Sequence, residues 1–264
     1  MTARRVLLWR HGRTTWNVER RFQGQSDPPL DEVGRRQAAA AAPLVAAFAP
    51  VAVVSSDLER AADTARPLTD LLGLPLRRDP RLRERSLGRW EGLTRDEVGR
   101  LFPEEYADWL AGREDCQAGS EPRRRLAERA LAALADTVGE TIVLVTHSAT
   151  AIALTGRLLG LPVPAWKAIG PLANCHWSEL RQDEHGWRLR AHNVGPAGTV
   201  APGSNGSGLA ADAEALDAGP AGAEALDAGP AGTEALDTAP TEAVDAGPAG
   251  TEALDAGPAG APAR

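Results

Sequence analysis

RVLLWRHG, residues 5–12, is the stretch on which the reading of this chain turns. Its first five residues form a short, almost wholly apolar run, and the last three are Arg10, His11 and Gly12. A run of that length with no polar alternation predicts a strand buried on both faces. TIVLV at residues 141–145 has the same character and is followed, one threonine later, by a second histidine, His147. In sheets of buried parallel strands, ligands bind beyond the carboxyl ends. The two histidines are therefore expected to face one crevice.

Working outward from these strands, VAVVS at residues 51–55 predicts a third, β-branched and short. Asp31 is placed to cap a helix running to about Phe48 through an alanine-rich stretch of high helix propensity. A second helix is expected over 57–72, stopped by Gly73 and Pro75. Further helices are expected over 94–101, 122–138 and 149–159, and a closing pair of strands over 177–180 and 187–192. Alternating helices and apolar strands predict an α/β protein, a three-layer α/β/α sandwich on a mainly parallel sheet.

Composition divides the chain. Residues 1–195 mix apolar runs, charges and all seven tryptophans; residues 196–264 hold no aromatic residue and repeat EALDAGPAG-like units opening at Glu214, Glu224, Glu234, Glu242 and Glu252. Each unit offers one Leu or Val, too little apolar surface to offset chain entropy. The expectation is one domain over 1–195 and a disordered acidic tail. The tail carries eleven acids against one arginine, a net −10 of the chain's −7, which leaves the domain at +3. That mild positive charge suits a small anionic substrate and is too weak to argue for nucleic acid. Lys167 is the only lysine, so Schiff-base chemistry has little to work with. Cys116 and Cys175 form no CxxC pair. The N-terminal apolar run is too short for a signal peptide, and no stretch could span a bilayer, so a cytoplasmic location is expected.

The chemistry-bearing residues are Arg10, His11, Arg60, Glu84 and His147. A neutral imidazole is a competent nucleophile near pH 7. Transfer of a phosphoryl group is mostly positioning and electrostatics, and the planar fork of arginine meets two of its oxygens at once. A carboxyl group can protonate the leaving alkoxide and then activate water. Metal ligation is not expected: no HExxH or Cys/His spacing occurs, and arginines repel a cation. Glu91 and Glu97 compete with Glu84 for the carboxyl role. His176, His185 and His192 are expected to be structural or solvent-facing, and the Arg123–Arg125 run to form a solvated helix face.

Five ordered blocks now carry a resemblance: LWRHGRTTWN from residue 8, FQGQSDPPLDEVGRRQA from 22, SSDLERAADTA from 55, LRERSLGRWEG from 82 and VLVTHSATA from 143. Together they resemble the histidine phosphatase (phosphoglycerate mutase-like) superfamily over nearly all of residues 5–193. The resemblance implies His11 as nucleophile, Glu84 as proton donor and acceptor, and Arg10, Arg60 and His147 as a phosphate pocket that Asn17, Gln23 and Gly24 help to line. It implies a metal-independent phosphomonoesterase with no cofactor, acting on a small phosphorylated metabolite, with neither nucleic acid nor membrane as partner. A homodimer stays open. Two alternatives stand beside this: a cofactor-dependent phosphoglycerate mutase, and a catalytically idle module that binds a phosphorylated ligand. The short stretch between Glu84 and residue 141 favours hydrolysis over mutase chemistry. Residues 158–180 and 187–193, with Trp166, Asn174 and Trp177, resemble the glucosyl-3-phosphoglycerate phosphatases. Gly119-Ser120-Glu121-Pro122 and Ser148 depart from the family pattern.

Overall fold

A computed structural model describes residues 3–111, 113 and 119–196. Cys116 and the acidic repeats lie outside the described residues. The chain opens with β1 (Arg5–Arg10), a single helical turn α1 (Thr15–Val18), then α2 (Glu32–Ala46), β2 (Ala52–Ser55), α3 (Glu59–Leu72) and β3 (Leu76–Arg78). Helices α4 (Arg95–Leu101), α5 (Pro103–Leu110) and α6 (Arg123–Ala135) precede β4 (Thr141–Thr146) and α7 (Ser148–Leu158). A 3-10 segment (Val163–Ile169) leads into the closing strands β5 (Trp177–Asp183) and β6 (Gly186–Val194).

The six strands form one sheet in the order β3-β2-β4-β1-β5-β6. The first four are mutually parallel; β5 and β6 run antiparallel at the far edge. Alternate side chains of the central strands feed two cores. Leu7, Trp9, Val53, Val143 and Val145 meet the apolar faces of α2 and α3. Val6, Leu8, Val54, Ile142 and Leu144 meet α6 and α7. This is the three-layer sandwich expected from the apolar strands, each of which must bury both faces.

Several boundaries follow from capping. Asp31 accepts from Gly34 N at 2.7 Å to start α2, and Gly73, at φ +64°, ends α3 in the left-handed conformation that glycine adopts freely. The second helix begins at Glu59 rather than residue 57, which puts Arg60 in its first turn. Between Glu84 and β4 the structure departs from a plain connection. There α4, α5 and the 3-10 turn Gly88–Trp90 pack Trp90, Val98 and Trp109 with Phe22 and Tyr106 into a small aromatic core of their own. Phe22 and Trp109 meet edge to face at 5.5 Å, and Tyr106 stacks on Trp109 at 5.6 Å. Among the described residues no helix is long and apolar enough to cross a membrane.

Candidate active site

The register of β1 on β4 pairs Arg10 with Thr146. The residues that follow, His11 and His147, therefore leave the sheet side by side at its carboxyl edge. His11 N donates to Thr146 O at 3.0 Å, and the two imidazole rings lie 5.1 Å apart. Arg60 reaches the same place from the start of α3, directly after β2. A crevice opens over these strand ends and encloses about 1270 Å³ out to solvent. Arg10, His11, Asn17, Gln23, Arg60 and Glu84 line it, as does Gly24. His147 is fully buried at the same strand ends, its ring beside that of His11. The structure thus brings together all eight residues singled out in the sequence.

Gly12 is fixed by packing. A Cβ there would come within 2.7 Å of Gly34 O in α2, and a Cβ on Gly34 would lie 2.1 Å from Arg13 O. The backbone after His11 and the first turn of α2 touch with no room for a side chain on either. Gly12 N also donates to Thr64 Oγ1 of α3 at 2.9 Å. The loop that carries His11 is thereby clamped between two helices.

The ring orientation of His11 follows from its one polar contact. Nδ1 lies 2.7 Å from Gly12 O. A carbonyl oxygen can only accept, so Nδ1 carries the proton and Nε2 keeps its lone pair. Burial, with Arg60 and Arg10 nearby, pushes the imidazole well below its ordinary pKa of 6.5. His147 is pushed down by burial and then by Arg60. Both rings are therefore neutral at pH 7. Among the described residues, both nitrogens of His147 are buried without a hydrogen-bond partner, as are Arg60 Nε, Gln23 Oε1 and Ser148 Oγ. Buried polar atoms in that condition cost roughly 1–3 kcal/mol each, a cost that an oxyanion rich in acceptors would relieve at the donors among them.

The two arginines are held rather than free-swinging. Arg10 donates from Nη1 to Leu172 O at 2.5 Å. Arg60 donates to Ser26 O at 2.5 Å and Gly24 O at 2.8 Å. Burial lowers each to a pKa of about 10, with Glu84 partly opposing the fall, so both remain cationic at neutral pH. Two buried cations with preset forks make a binding place for a tetrahedral dianion. No group of three or more His, Cys, Asp or Glu side chains capable of holding a metal stands among the described residues.

Glu84 is separated from its two rivals by its contacts. Its carboxylate accepts from the N–H groups of Ala149 and Thr150, each at 3.3 Å, at the start of α7. That anchor points it into the crevice beside His11. Glu97 instead closes the capping box of α4 with Thr94, a signature readable as T-x-x-E in the sequence. Glu91 accepts from Leu87 N at 2.9 Å and Ser26 N at 3.2 Å beneath Gly24, where a Cβ would collide with it. Asn17 does both things open to it. Its side chain caps the turn at Thr14, and its Oδ1 receives Asn174 Nδ2 at 3.3 Å while Asn174 also donates to His11 O at 3.0 Å.

One expectation is corrected. The Arg123–Arg125 run is not a uniformly solvated face, because Arg123 opens α6 at the crevice and lines it. Arg20, Arg95, Lys167 and Trp109 also line the crevice and carried no sequence signal. His176 and His192 are structural: His176 packs against Gly195, and His192 Nδ1 lies 2.8 Å from Ser178 Oγ. His185 is exposed. Of the departures from the family pattern, Ser120 Oγ and the Glu121 carbonyl both receive Arg85. Ser148 is the first residue of α7 and lines the crevice.

Comparison with known proteins shows the family to which this chain belongs. The histidine phosphatase superfamily (branch 1) matches residues 6–195, and that membership makes the chain a phosphoric monoester hydrolase. Among its relatives, the chain is 40% identical over 191 residues to the glucosyl-3-phosphoglycerate phosphatase of Mycolicibacterium vanbaalenii, covering 68% of this chain and 85% of that one. It is 36% identical over 204 residues to a probable phosphoglycerate mutase of Enterobacter sp. (strain 638), covering 74% and 93%. Among solved structures, the mycobacterial glucosyl-3-phosphoglycerate phosphatase in complex with VO3 matches with a TM-score of 0.67 at 39% identity. That match covers 73% of this chain and all of that one.

Proposed function

We propose that this chain hydrolyses small phosphomonoesters through a phosphohistidine on His11, with glucosyl-3-phosphoglycerate as the candidate substrate. The observation that carries the reading is the His11 Nδ1–Gly12 O contact, because it leaves the Nε2 lone pair of a neutral ring facing a cationic crevice. In the first step Nε2 attacks phosphorus, the ester P–O bond breaks, and the carboxyl group of Glu84 gives its proton to the departing alkoxide. In the second, water attacks the same phosphorus and the N–P bond breaks. Glu84 takes the water's proton, phosphate leaves, and the starting state returns. Arg10 and Arg60 hold the equatorial oxygens throughout, and His147 donates to one of them.

The substrate assignment rests on likeness to the mycobacterial enzymes and on a crevice whose lining runs beyond Arg10, His11 and Arg60 to Trp16, Leu126, Ile152 and Trp166. Rapid quenching with a radiolabelled phosphomonoester tests the chemistry: label on wild-type protein and none on His11→Ala is expected. Full turnover by His11→Ala would sink the proposal. The likeness to a probable mutase keeps a second reading in play. Isomerised rather than hydrolysed 3-phosphoglycerate would favour it. Retained phosphate binding with no turnover across a phosphomonoester panel would favour an idle binding module.

A further inference from the structure

Residues 83–87, which carry Glu84, belong to neither helix nor strand. A proton donor must nevertheless stand within hydrogen-bond reach of the leaving oxygen, and an error of about 1 Å can cost roughly a hundredfold in rate. Irregular backbone does not hold such a position by itself. Its carbonyl groups show what does. Leu82 O accepts from Thr146 Oγ1 of β4 at 2.7 Å, and Arg83 O from Thr150 Oγ1 of α7 at 2.8 Å. The other contacts converge on one side chain. Arg129 of α6 donates from Nη1 to Arg81 O and Arg83 O, each at 2.7 Å, and from Nη2 to Glu84 O at 2.9 Å.

The two N–H groups that remain meet Glu121 side-on, Nε to Oε1 at 2.7 Å and Nη2 to Oε2 at 2.8 Å. All five donors of the guanidinium are thereby used. Glu121 in turn grips the chain on the far side of Glu84. Its N–H donates to Ser86 O at 2.9 Å, and its carbonyl receives Arg85 Nε at 2.7 Å. Glu84 is thus bracketed: Arg129 holds residues 81, 83 and 84, Glu121 holds 85 and 86, and an ion pair joins the two holders. Their side chains are only 18% and 11% exposed. A pair so far out of water returns little net stability. A planar fork spread over three carbonyls of one short stretch does fix position, which a lysine with its single ammonium could not repeat.

We propose that Arg129, braced by Glu121, is the positioning residue for Glu84 and sets where the proton donor stands. The inference rests on the phosphatase reading and goes beyond it by giving a function to two residues that do not line the crevice.

Two aryl esters of similar shape test it: p-nitrophenyl phosphate, whose leaving group needs no proton, and phenyl phosphate, whose leaving group does. Their kcat/KM values cover the steps up to release of the phenol, so the later attack of water does not enter. Arg129→Lys keeps the charge and loses the fork. In that variant kcat/KM for phenyl phosphate is expected to fall about tenfold or more beyond the fall for p-nitrophenyl phosphate. Equal falls for the two esters would mean that Arg129 only supports the fold, and would overturn the positioning role with the phosphatase still standing. Should Arg129→Lys not fold, the isosteric Glu121→Gln decides by the same ratio: a shift in the same direction supports the bracing, and an unchanged ratio overturns it. If wild-type protein hydrolyses neither ester, the phosphatase reading itself fails and the positioning role falls with it.

Discussion

The floor of the crevice and the small aromatic core beside it are built on opposite plans. The floor takes Arg10, His11, Arg60 and His147 from three parallel strand ends, buries all four and holds Arg10, His11 and Arg60 by contacts to backbone carbonyls. The aromatic core over residues 87–110 takes Phe22 from one loop and Trp90, Tyr106 and Trp109 from short helices, and holds them by ring packing. Sheet register is a stiff positioning device, because a one-residue slip would turn every side chain to the opposite face. Packing among short helices is more tolerant. Chemistry that depends on sub-ångström placement therefore belongs on the floor, and selection among alcohol groups belongs above it.

The sharpest break in that contrast should come from Glu84→Gln. The amide keeps the shape but can neither protonate an alkoxide nor activate water, so kcat for an alkyl phosphate should fall about a hundred- to ten-thousand-fold. For p-nitrophenyl phosphate, whose leaving group needs no proton, the first step should suffer far less, and a burst of nitrophenolate before slow turnover would show it. Equal losses for the two substrates, with no burst, would remove Glu84 from the acid role.

Trp109→Ala is the matching test on the other side. Deleting a buried tryptophan from a packed cluster typically costs roughly 3–5 kcal/mol, and Trp109 packs against Phe22, Trp90 and Tyr106. Because this core stands apart from the sheet's two cores, chemical denaturation should show an early local transition ahead of the main one. KM for a bulky ester should rise more than kcat falls. A loss confined to kcat would mean that the aromatic core helps to place the floor.

The floor also predicts a pH dependence of stability. Burial and Arg60 depress the imidazoles of His11 and His147 below 6.5, whereas in the unfolded chain each titrates near that value. Below about pH 6.5 the unfolded state binds more protons, so stability contributed by the neutral rings is present above that pH and lost as pH falls. The Tm of ligand-free protein should decline from pH 7 to 5. Orthophosphate should flatten the decline, since a bound anion lets the rings charge in place. A Tm unchanged over that interval would contradict the neutral, desolvated floor.

How much of this was legible in the sequence follows the same division. The apolar runs of β1, β2 and β4 each demand burial on both faces, so strand type, layering and the meeting of His11 with His147 could be read from periodicity alone. β3 could not: it has three residues, two of them exposed, and pairs with β2 at an edge. α5 was missed because Pro103–Leu110 is barely two turns long and owes its form to Trp109 and Tyr106 finding Phe22 from far away in the chain. Arg20, Arg123 and Lys167 were missed for a related reason. A surface base is ordinary in sequence and acquires meaning only where the fold turns it toward a cavity. Thr94-x-x-Glu97, by contrast, carries a capping-box signature that could have removed Glu97 from the carboxyl role, and that reading was not made.

The smallest expected effect joins the floor to the ordinary physics of helix ends. Asp31 caps α2 through Gly34 N and also pairs with Arg13 Nε at 2.7 Å. Gly34 is the residue on which Gly12 rests. Asp31→Ala removes the cap and should cost about 1 kcal/mol of stability, as N-cap truncations do. The catalytic consequence should be smaller than that figure suggests. Gly12 stays fixed from its other side by Thr64 Oγ1, and β1 holds Arg10 through its register on β4. Urea denaturation should therefore show a lowered midpoint at unchanged slope, while kcat moves less than about twofold. A large fall in kcat without a matching loss of stability would show that the α2 cap, rather than strand register, sets the position of His11.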